Sequence, residues 1–122
     1  MIQKRSKTKD LFPNCWDISV GGRVNFGKSY IETAVRELYE ELGIESSVND
    51  LKFKGEVLVK LDKSNEFFNI YEYKLKPNQK IIIEKNEISD NTWMAIKNIK
   101  KSMDDKSLLW YTRPEQIISA LY

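Results

Sequence analysis

The chain has 122 residues, enough for one domain with a modest hydrophobic core. Its formal net charge is only +2, although 31% of its residues are charged, so bulk electrostatics do not favour nucleic acid as a partner. It has no histidine and one cysteine, Cys15, which excludes histidine chemistry and an intramolecular disulfide. Any metal site must then rest mainly on oxygen ligands, which favours Mg²⁺, Mn²⁺ or Ca²⁺. No signal peptide or membrane-spanning apolar run is apparent, so we expect a cytoplasmic protein without a membrane partner.

The N-terminal segment is basic and ends in the turn signal Phe12-Pro13-Asn14. It is either a solvated basic stretch or a segment in which Arg5 or Lys4 holds a substrate phosphate. Residues Trp16 to Val20 are rich in β-formers and predict a short strand. Gly21-Gly22 ends that strand, and pairing may resume over residues 23–25 before the next glycine turn.

A helix is predicted from about Tyr30 to Leu42. Ser29 and Glu32 form a capping box at its start, in which each side chain bonds to the other residue's backbone N–H. Gly43 follows the last residue, where glycine adopts a left-handed cap at the lowest cost. Apolar residues recur at the spacing of one buried stripe, namely Ile31, Ala34, Val35, Leu38 and Leu42.

Three glutamates, Glu37, Glu40 and Glu41, share another face of this helix. Their mutual repulsion and their place in the C-terminal half of a helix both cost energy. A hard divalent cation would reverse both costs, and Arg36 can hold a carboxylate by reaching Glu40 or Glu32. Taken alone, the same spacing is more typical of a solvated acidic stripe.

The second half of the chain alternates as strands and then turns helical. Residues 51–61 predict a strand with a bulge at Gly55, and residues 67–75 pair back with it as a hairpin. The aromatic residues of the strand over residues 67–75 indicate core or cross-strand packing, and base stacking by Tyr71 or Tyr73 is the alternative. Residues 88–96 predict a strand that carries Trp93, and a basic helical stretch follows from residue 97.

The last helix is predicted over about residues 115–121, and it should cover the second side of the sheet. Thr112 and Glu115 predict a second capping box at its start, around Arg113-Pro114. Its apolar residues, Ile117, Ile118 and Leu121, fall on one face.

The stretch GRVNFGKSYIETAVRELYEELGI, residues 22–44, closely resembles the Nudix box, G-x5-E-x7-R-E-U-x-E-E-x-G-U with U aliphatic. The fixed positions that match are Gly22, Arg36, Glu37, Leu38, Glu40, Glu41, Gly43 and Ile44. One fixed position departs, because Lys28 stands where the motif has a glutamate. A cation at that position could remove a metal ligand or weaken water activation, or it could pair with Glu32 or with a substrate phosphate.

The resemblance implies an α/β fold, an α/β/α sandwich with a mixed sheet, here as one domain over residues 1–122. It implies Mg²⁺- or Mn²⁺-dependent hydrolysis of a diphosphate linkage in a nucleoside diphosphate derivative. By position it assigns the metal to Glu37, Glu40, Glu41 and the Gly22 carbonyl. We assign catalytic roles to Glu41, Arg36 and Glu87, and substrate binding to Arg5, Arg23 and Lys28.

Glu87 is chosen because some family members place a general base or further metal ligand in the loop before a tryptophan-bearing strand. Glu87 lies six residues before Trp93, and Glu84 is the substitute. The lead-in QKRSKTKDLFPNCWDISVGGRV, residues 3–24, is similar to the Nudix subgroup related to isopentenyl diphosphate isomerases. Those relatives have a full apolar strand before it, so we expect a truncated first strand, from a trimmed start or completed by a partner chain, possibly in a homodimer.

Three functions follow as hypotheses. The first is a metal-dependent pyrophosphohydrolase acting on a small diphosphate compound. The second is a nucleotide-binding module with weak or no catalysis, motivated by Lys28 and the short first strand. The third is an allylic diphosphate isomerase, which is disfavoured because Cys15 precedes Trp16 and no Trp-Gly-Glu motif is present.

Overall fold

The computed structural model describes residues 1–18 and 20–122. Its strands are β1 (Ile2–Arg5), β2 (Trp16–Ile18), β3 (Leu51–Lys60), β4 (Asn65–Tyr73) and β5 (Ile88–Thr92). Its α-helices are α1 (Tyr30–Leu42), α2 (Ile96–Asp104) and α3 (Thr112–Leu121), and a short 3₁₀ helix spans Val48–Asp50. Within the described ranges, no helix is long and apolar enough to cross a bilayer.

The strands form two antiparallel groups. β1 lies between β2 and β5, so that Ile2 is opposite Ile18 on one side and Thr92 on the other, while β3 pairs with β4 as a hairpin. In the described part of the chain, Trp16 and Trp110 form an isolated parallel bridge. The predicted α/β class is therefore confirmed, with antiparallel pairs dominating the sheet.

Helices cover both faces of the three-stranded sheet. Ile2 packs with Ile99 of α2 and Ile118 of α3, whereas the adjacent Met1 packs against the cluster built around α1. Because successive strand residues point to opposite faces, α1 lies on one side and the other two helices on the opposite side. This arrangement agrees with the predicted sandwich.

α1 has the bounds and caps that its sequence predicts. The Ser29 hydroxyl accepts from the Glu32 N–H, and the Glu32 carboxylate accepts from the Ser29 N–H, both at 3.2 Å. Gly43 ends the helix with a φ of 65°, in the left-handed region that favours glycine. The apolar stripe packs into a cluster whose buried members are Leu38, Leu42, Ile44 and Ile88.

The hairpin packs on α3. The register shifts between Phe53 and Gly55, which confirms the predicted bulge and leaves the Phe53 side chain 56% exposed. Beyond the bulge, Val57 and Val59 are buried against Ile117 of α3. At the end of β3, the Gln116 amide accepts from the Lys60 N–H and donates to the Lys60 carbonyl, both at 2.9 Å.

Three local predictions differ from the structure. Residues 23–25 form no strand, and β5 ends at Thr92, so Trp93 lies outside it and is 65% exposed. Thr92, the last residue of β5, is opposite Ile2 of β1. Thr112 does not cap α3, because it is already the first residue of the helix; the cap residue is Tyr111, whose N–H donates to the Trp16 carbonyl.

Candidate active site

The three glutamates of α1 differ in burial although they share one face of the helix. The Glu37 side chain is 13% exposed and that of Glu40 is 57% exposed. Arg36 connects them: its Nη2 donates to Glu37 Oε1 at 3.0 Å, and its Nε lies 3.8 Å from Glu40 Oε1. The predicted role of Arg36 in holding a carboxylate agrees with this geometry, and the carboxylate it hydrogen-bonds is that of its neighbour Glu37.

Glu41 is the most unusual carboxylate of the group. Its Oε2 is buried and has no hydrogen-bond partner among the residues that the structure describes. Burial, followed by the negative charge of Glu37, raises the pKa of Glu41 from its ordinary 4.5 to about 7. The charge of Glu87 adds to the rise, while a side-chain hydrogen bond with Gln3 and the positive charge of Arg113 oppose it. A buried carboxylate oxygen in a negative surrounding is a position that favours a cation or a proton.

Gly22 lies directly against Glu37. A Cβ built on Gly22 would overlap the Glu37 carboxyl group and would lie 2.8 Å from its Cγ. The absence of a side chain therefore allows the loop before α1 to approach the helix at the level of the glutamates. The Nudix-box glycine thus has a steric reason in this chain.

The two other cations assigned to the substrate, Arg23 and Lys28, lie in the same loop and are exposed. The Arg23 carbonyl accepts from Arg36 Nη2 at 3.4 Å, so the loop backbone is bonded to the same guanidinium group that holds Glu37. Lys28 closes a turn by donating its N–H to the Asn25 carbonyl at 3.0 Å. Substrate binding by either side chain remains a prediction.

The loop that carries Glu84 and Glu87 is fastened to the end of α1. The Glu84 N–H donates to the Glu41 carbonyl at 2.9 Å, and the Glu84 carboxylate accepts from the Glu87 N–H at 3.0 Å. Glu84 therefore serves as a local cap. Glu87 is paired with Lys9, at 2.5 Å, and its charge acts on Glu41. The structure thus brings Glu87 into the electrostatic neighbourhood of the α1 glutamates.

Arg5 organises the loop that follows β1. Its Nη2 donates to the Leu11 carbonyl at 2.8 Å, and its Nε donates to the carbonyls of Leu11 and Phe12 at 3.1 and 3.2 Å. Its guanidinium carbon also lies 4.9 Å from the centre of the Tyr111 ring. Arg5 thus has a structural role in addition to the phosphate contact predicted for it.

Arg113 is a site residue that the sequence analysis missed. Its Nε and Nη2 donate to Asp17 Oδ2 at 3.1 and 2.5 Å, and Asp17 is fully buried. Burial alone would lower the pKa of Arg113, but the Asp17 carboxylate reverses this and raises it. The available signal was Asp17 itself, since a carboxylate inside an apolar strand needs a cationic partner.

Some features of these residues fit a metal site, and one does not. In residues 1–18 and 20–122, no three acidic or cysteine side chains already converge as a ligand set. The orphaned Glu41 oxygen, the close Gly22 backbone and the all-oxygen donor set nevertheless fit a hard cation such as Mg²⁺ or Mn²⁺. Glu37, Glu40 and Glu41, with the Gly22 carbonyl, are the groups that would hold it.

Comparison with known proteins identifies the class. The Nudix domain family model matches residues 1–113, and the chain belongs to the Nudix family.

The relatives give the particulars. A Nudix hydrolase from Clostridium acetobutylicum, described as uncharacterised, is 33% identical over 111 residues, which are 87% of this chain and 53% of the relative. A Nudix hydrolase from Deinococcus radiodurans is 34% identical over 94 residues, 77% of this chain and 54% of the relative. The chain thus spans about half the length of these two curated relatives.

Two solved structures share the fold. The crystal structure of the DR0079 protein from Deinococcus radiodurans has a TM-score of 0.76 at 27% identity, covering 99% of this chain and 73% of that one. The MutT protein from Methanosarcina mazei has a TM-score of 0.72 at 21% identity, covering 97% of this chain and 76% of that one. The second likeness concerns the fold alone.

Proposed function

We propose that the protein hydrolyses a diphosphate linkage in a nucleoside diphosphate derivative and depends on a divalent cation. Its Nudix membership and the name of its relatives, Nudix hydrolases, support the hydrolase class. The observation that carries the proposal is the Glu41 carboxyl, whose buried Oε2 lacks a partner in the described part of the chain beside the charge of Glu37. In its ionised form such a group destabilises the folded chain unless it binds positive charge, so its presence favours a role in binding a cation.

In this proposal each residue has a defined task. Glu37, Glu40 and Glu41 would hold the cation, and of these the Glu37 side chain is 13% exposed and that of Glu40 is 57% exposed. The bound Mg²⁺ or Mn²⁺ supplies charge neutralisation of the diphosphate and a water of lowered pKa. Arg36 fixes the Glu37 carboxylate through its 3.0 Å hydrogen bond, which keeps the ligand oriented before substrate arrives.

Glu87 is the candidate acceptor for the proton of the attacking water, with Glu84 as the substitute. The Glu87 carboxylate contacts Lys9, and exchange of that partner for a water would free its oxygens for proton transfer. Arg5 and Arg23 supply positive charge for the substrate phosphates, and the Lys28→Glu variant tests separately whether Lys28 adds to it. That charge stabilises the transition state, in which negative charge spreads over the phosphoryl oxygens.

The test is turnover of a panel of nucleoside diphosphate derivatives with Mg²⁺ or Mn²⁺. We expect phosphate or nucleotide release by the unaltered chain and a loss of at least about a hundredfold in Glu41→Gln, which keeps the shape but not the charge. The matched control is Glu66→Gln on the hairpin, which changes the same charge away from the site. Absence of turnover across the panel by the folded chain would refute the proposal.

The isomerase hypothesis loses support from the position of Cys15. This residue is 5% exposed, and burial raises the pKa of its thiol, so the thiolate that a catalytic cysteine provides is disfavoured. The binding-module hypothesis keeps one supporting observation, the exposed Lys28 in the loop before α1. Thermal stabilisation by a nucleotide with Mg²⁺, without release of any product, is the result that would favour it.

A further inference from the structure

A stacked unit of two aromatic rings and two guanidinium groups lies beside the candidate site. The rings of Phe12 and Tyr111 have centroids 4.5 Å apart and planes inclined by 33°. The guanidinium carbons of Arg5 and Arg113 lie 4.9 and 5.2 Å from the centre of the Tyr111 ring. We call Phe12, Tyr111, Arg5 and Arg113 the stacked unit.

The loop that presents Phe12 is held in a costly conformation. Phe12 has a φ of 50° and Asn14 a φ of 61°, in the left-handed region that bulky side chains rarely adopt. Arg5 stabilises this loop through its bonds to the Leu11 and Phe12 carbonyls. The strain does not bury the Phe12 ring, which remains 44% exposed. A strained backbone that exposes an aromatic ring favours a contact with a ligand.

The stacked unit also carries excess positive charge. The Arg113 guanidinium is bonded to the Asp17 carboxylate, whereas the Arg5 guanidinium donates to neutral carbonyls. Two cations therefore share one tyrosine ring and one carboxylate. Aromatic faces next to surplus guanidinium charge are the chemistry that recognises a planar base joined to a phosphate chain.

The position of the stacked unit connects it to the glutamates of α1. Arg113 Nη2 would lie 3.5 Å from a Cβ built on Gly21, the residue before Gly22, whose backbone touches Glu37. The charge of Arg113 also acts on Glu41. The same guanidinium group thus borders both the ring stack and the carboxylates.

We propose that the stacked unit is the subsite for the base of the nucleoside diphosphate derivative, with the base stacked on the exposed face of Phe12. The phosphates run from this ring past Arg5 and Arg113 toward Glu37 and Glu41. The inference rests on the proposed function, because it supplies the substrate class of that same site. Since every base has a π-face, stacking accepts purines and pyrimidines alike.

The experiment compares two probes that resist hydrolysis, measured by titration calorimetry with Mg²⁺ in excess. One is the α,β-methylene analogue of ADP, and the other is methylenediphosphonate, which has the phosphonate pair but neither ribose nor base, so the Phe12 variants separate the contribution of the base from that of the ribose. We expect the base-bearing probe to bind the unaltered chain at least about fivefold more tightly, the smallest gain typical of stacking one base. Phe12→Leu should remove most of this gain and leave the affinity for methylenediphosphonate unchanged.

Two further variants keep the test decisive. Phe53→Leu is the matched control, because Phe53 is also an exposed ring beside a tyrosine, with its centroid 5.5 Å from that of Tyr71. It should leave both affinities unchanged. Phe12→Tyr keeps an aromatic face and should restore the tight binding, which separates loss of stacking from a loop that folds poorly.

Equal affinity of the unaltered chain for the two probes would overturn the subsite, and so would an equal loss of both in Phe12→Leu. Either result leaves the proposed hydrolysis standing, because turnover and methylenediphosphonate binding test it separately. The same measurements with the uridine analogue should give a similar gain. A gain confined to one base would overturn recognition by stacking.

Discussion

Glu41 shows how a single residue can be unfavourable for the isolated fold and useful to a site. Its buried Oε2 is unpartnered within the described residues, and its pKa is raised to about 7. The neighbours that act on this pKa come from several elements: Glu37 on the same helix, Glu87 in the loop before β5, Gln3 on β1 and Arg113 on α3. The free energy of unfolding should therefore depend on pH through this residue.

The sign of that dependence follows from the raised pKa of Glu41, because the folded chain binds the proton of this carboxyl group more tightly than the unfolded chain does. As the pH rises from about 4.5 to about 7, an unfolded chain releases the Glu41 proton while the folded chain keeps it. The free energy of unfolding should fall across this window, by about 1 to 3 kcal/mol. Denaturant unfolding of the metal-free chain measures it, and Glu41→Gln should remove this part of the fall.

The control for this pH dependence is Glu40→Gln, because the Glu40 side chain is 57% exposed. It should leave the pH profile as it is in the unaltered chain. Addition of Mg²⁺ should reduce the loss of stability at the upper end of the window. Superimposed profiles of the unaltered chain and Glu41→Gln would contradict the prediction.

Lys28 is the other residue whose effect can be measured alone. Replacing it by glutamate restores the acidic residue of the Nudix box at an exposed loop position. We expect kcat/KM for the best diphosphate substrate to rise about tenfold, equivalent to about 1.4 kcal/mol of barrier. Lys63→Glu, in the exposed β3–β4 turn, changes the same charge and should have no effect. A decrease in Lys28→Glu would instead favour direct phosphate binding by the lysine.

At the scale of elements, the contact between the loop before α1 and the helix itself defines the site. The two capping bonds fix where α1 begins, and Gly22 lets the loop backbone reach Glu37. The orientation of one carboxylate therefore depends on a position that has no side chain.

Gly22→Ala tests this dependence. The added Cβ would overlap the Glu37 carboxyl group, which is the flexible end of a side chain, so the fold should tolerate it while Glu37 moves. A displaced ligand should lower kcat/KM about a hundredfold. In Gly21→Ala the added Cβ has its nearest contact at 3.5 Å, an ordinary distance, so this variant is the matched control. Equal activity of the two variants would contradict the role of the close approach.

At the scale of the whole molecule, the Asp17–Arg113 pair ties β2 to α3 across 96 positions of the chain. The guanidinium carbon of Arg113 also lies 5.5 Å from the centre of the Phe68 ring of β4. One side chain thus joins the three-stranded sheet, the hairpin and the last helix.

Removal of one partner of this pair should be costly. Arg113→Ala leaves the Asp17 carboxylate buried without its cation, and we expect the free energy of unfolding to fall by about 3 to 5 kcal/mol. Chemical denaturation provides the measurement. Lys101→Ala breaks the exposed pair with Asp105 and should leave stability unchanged. If Arg113→Ala were no less stable than this control, the pair would not support the fold.

The features that could be predicted from sequence are those set by neighbouring residues. The capping box of Ser29 and Glu32, the left-handed Gly43 and the bulge at Gly55 depend on contacts within a few positions or on backbone sterics. Those predictions are confirmed. The Nudix fold was implied by the resemblance of residues 22–44 to the Nudix box, and the family comparison confirms it.

The features that could not be predicted depend on distant partners. Trp93 lies outside β5, which ends at Thr92 opposite Ile2 of the distant β1. Tyr111 is the cap residue of α3 in place of Thr112, and its N–H is bonded to the distant Trp16 carbonyl. Arg113 was missed for the same reason, since its carboxylate partner lies on β2. The metal and substrate roles of the predicted site residues remain predictions for the experiments above.

The paired bonds from the Gln116 side chain to the Lys60 backbone have a consequence for self-association. The Gln116 amide both donates to and accepts from the Lys60 backbone, as a neighbouring strand would. The side chain therefore takes the place of a paired strand at the end of β3. Because the Lys60 N–H and carbonyl are already hydrogen-bonded, a second chain cannot pair with the edge of β3 at this residue. Slow deuterium uptake at the Lys60 amide would be the spectroscopic mark of this protection.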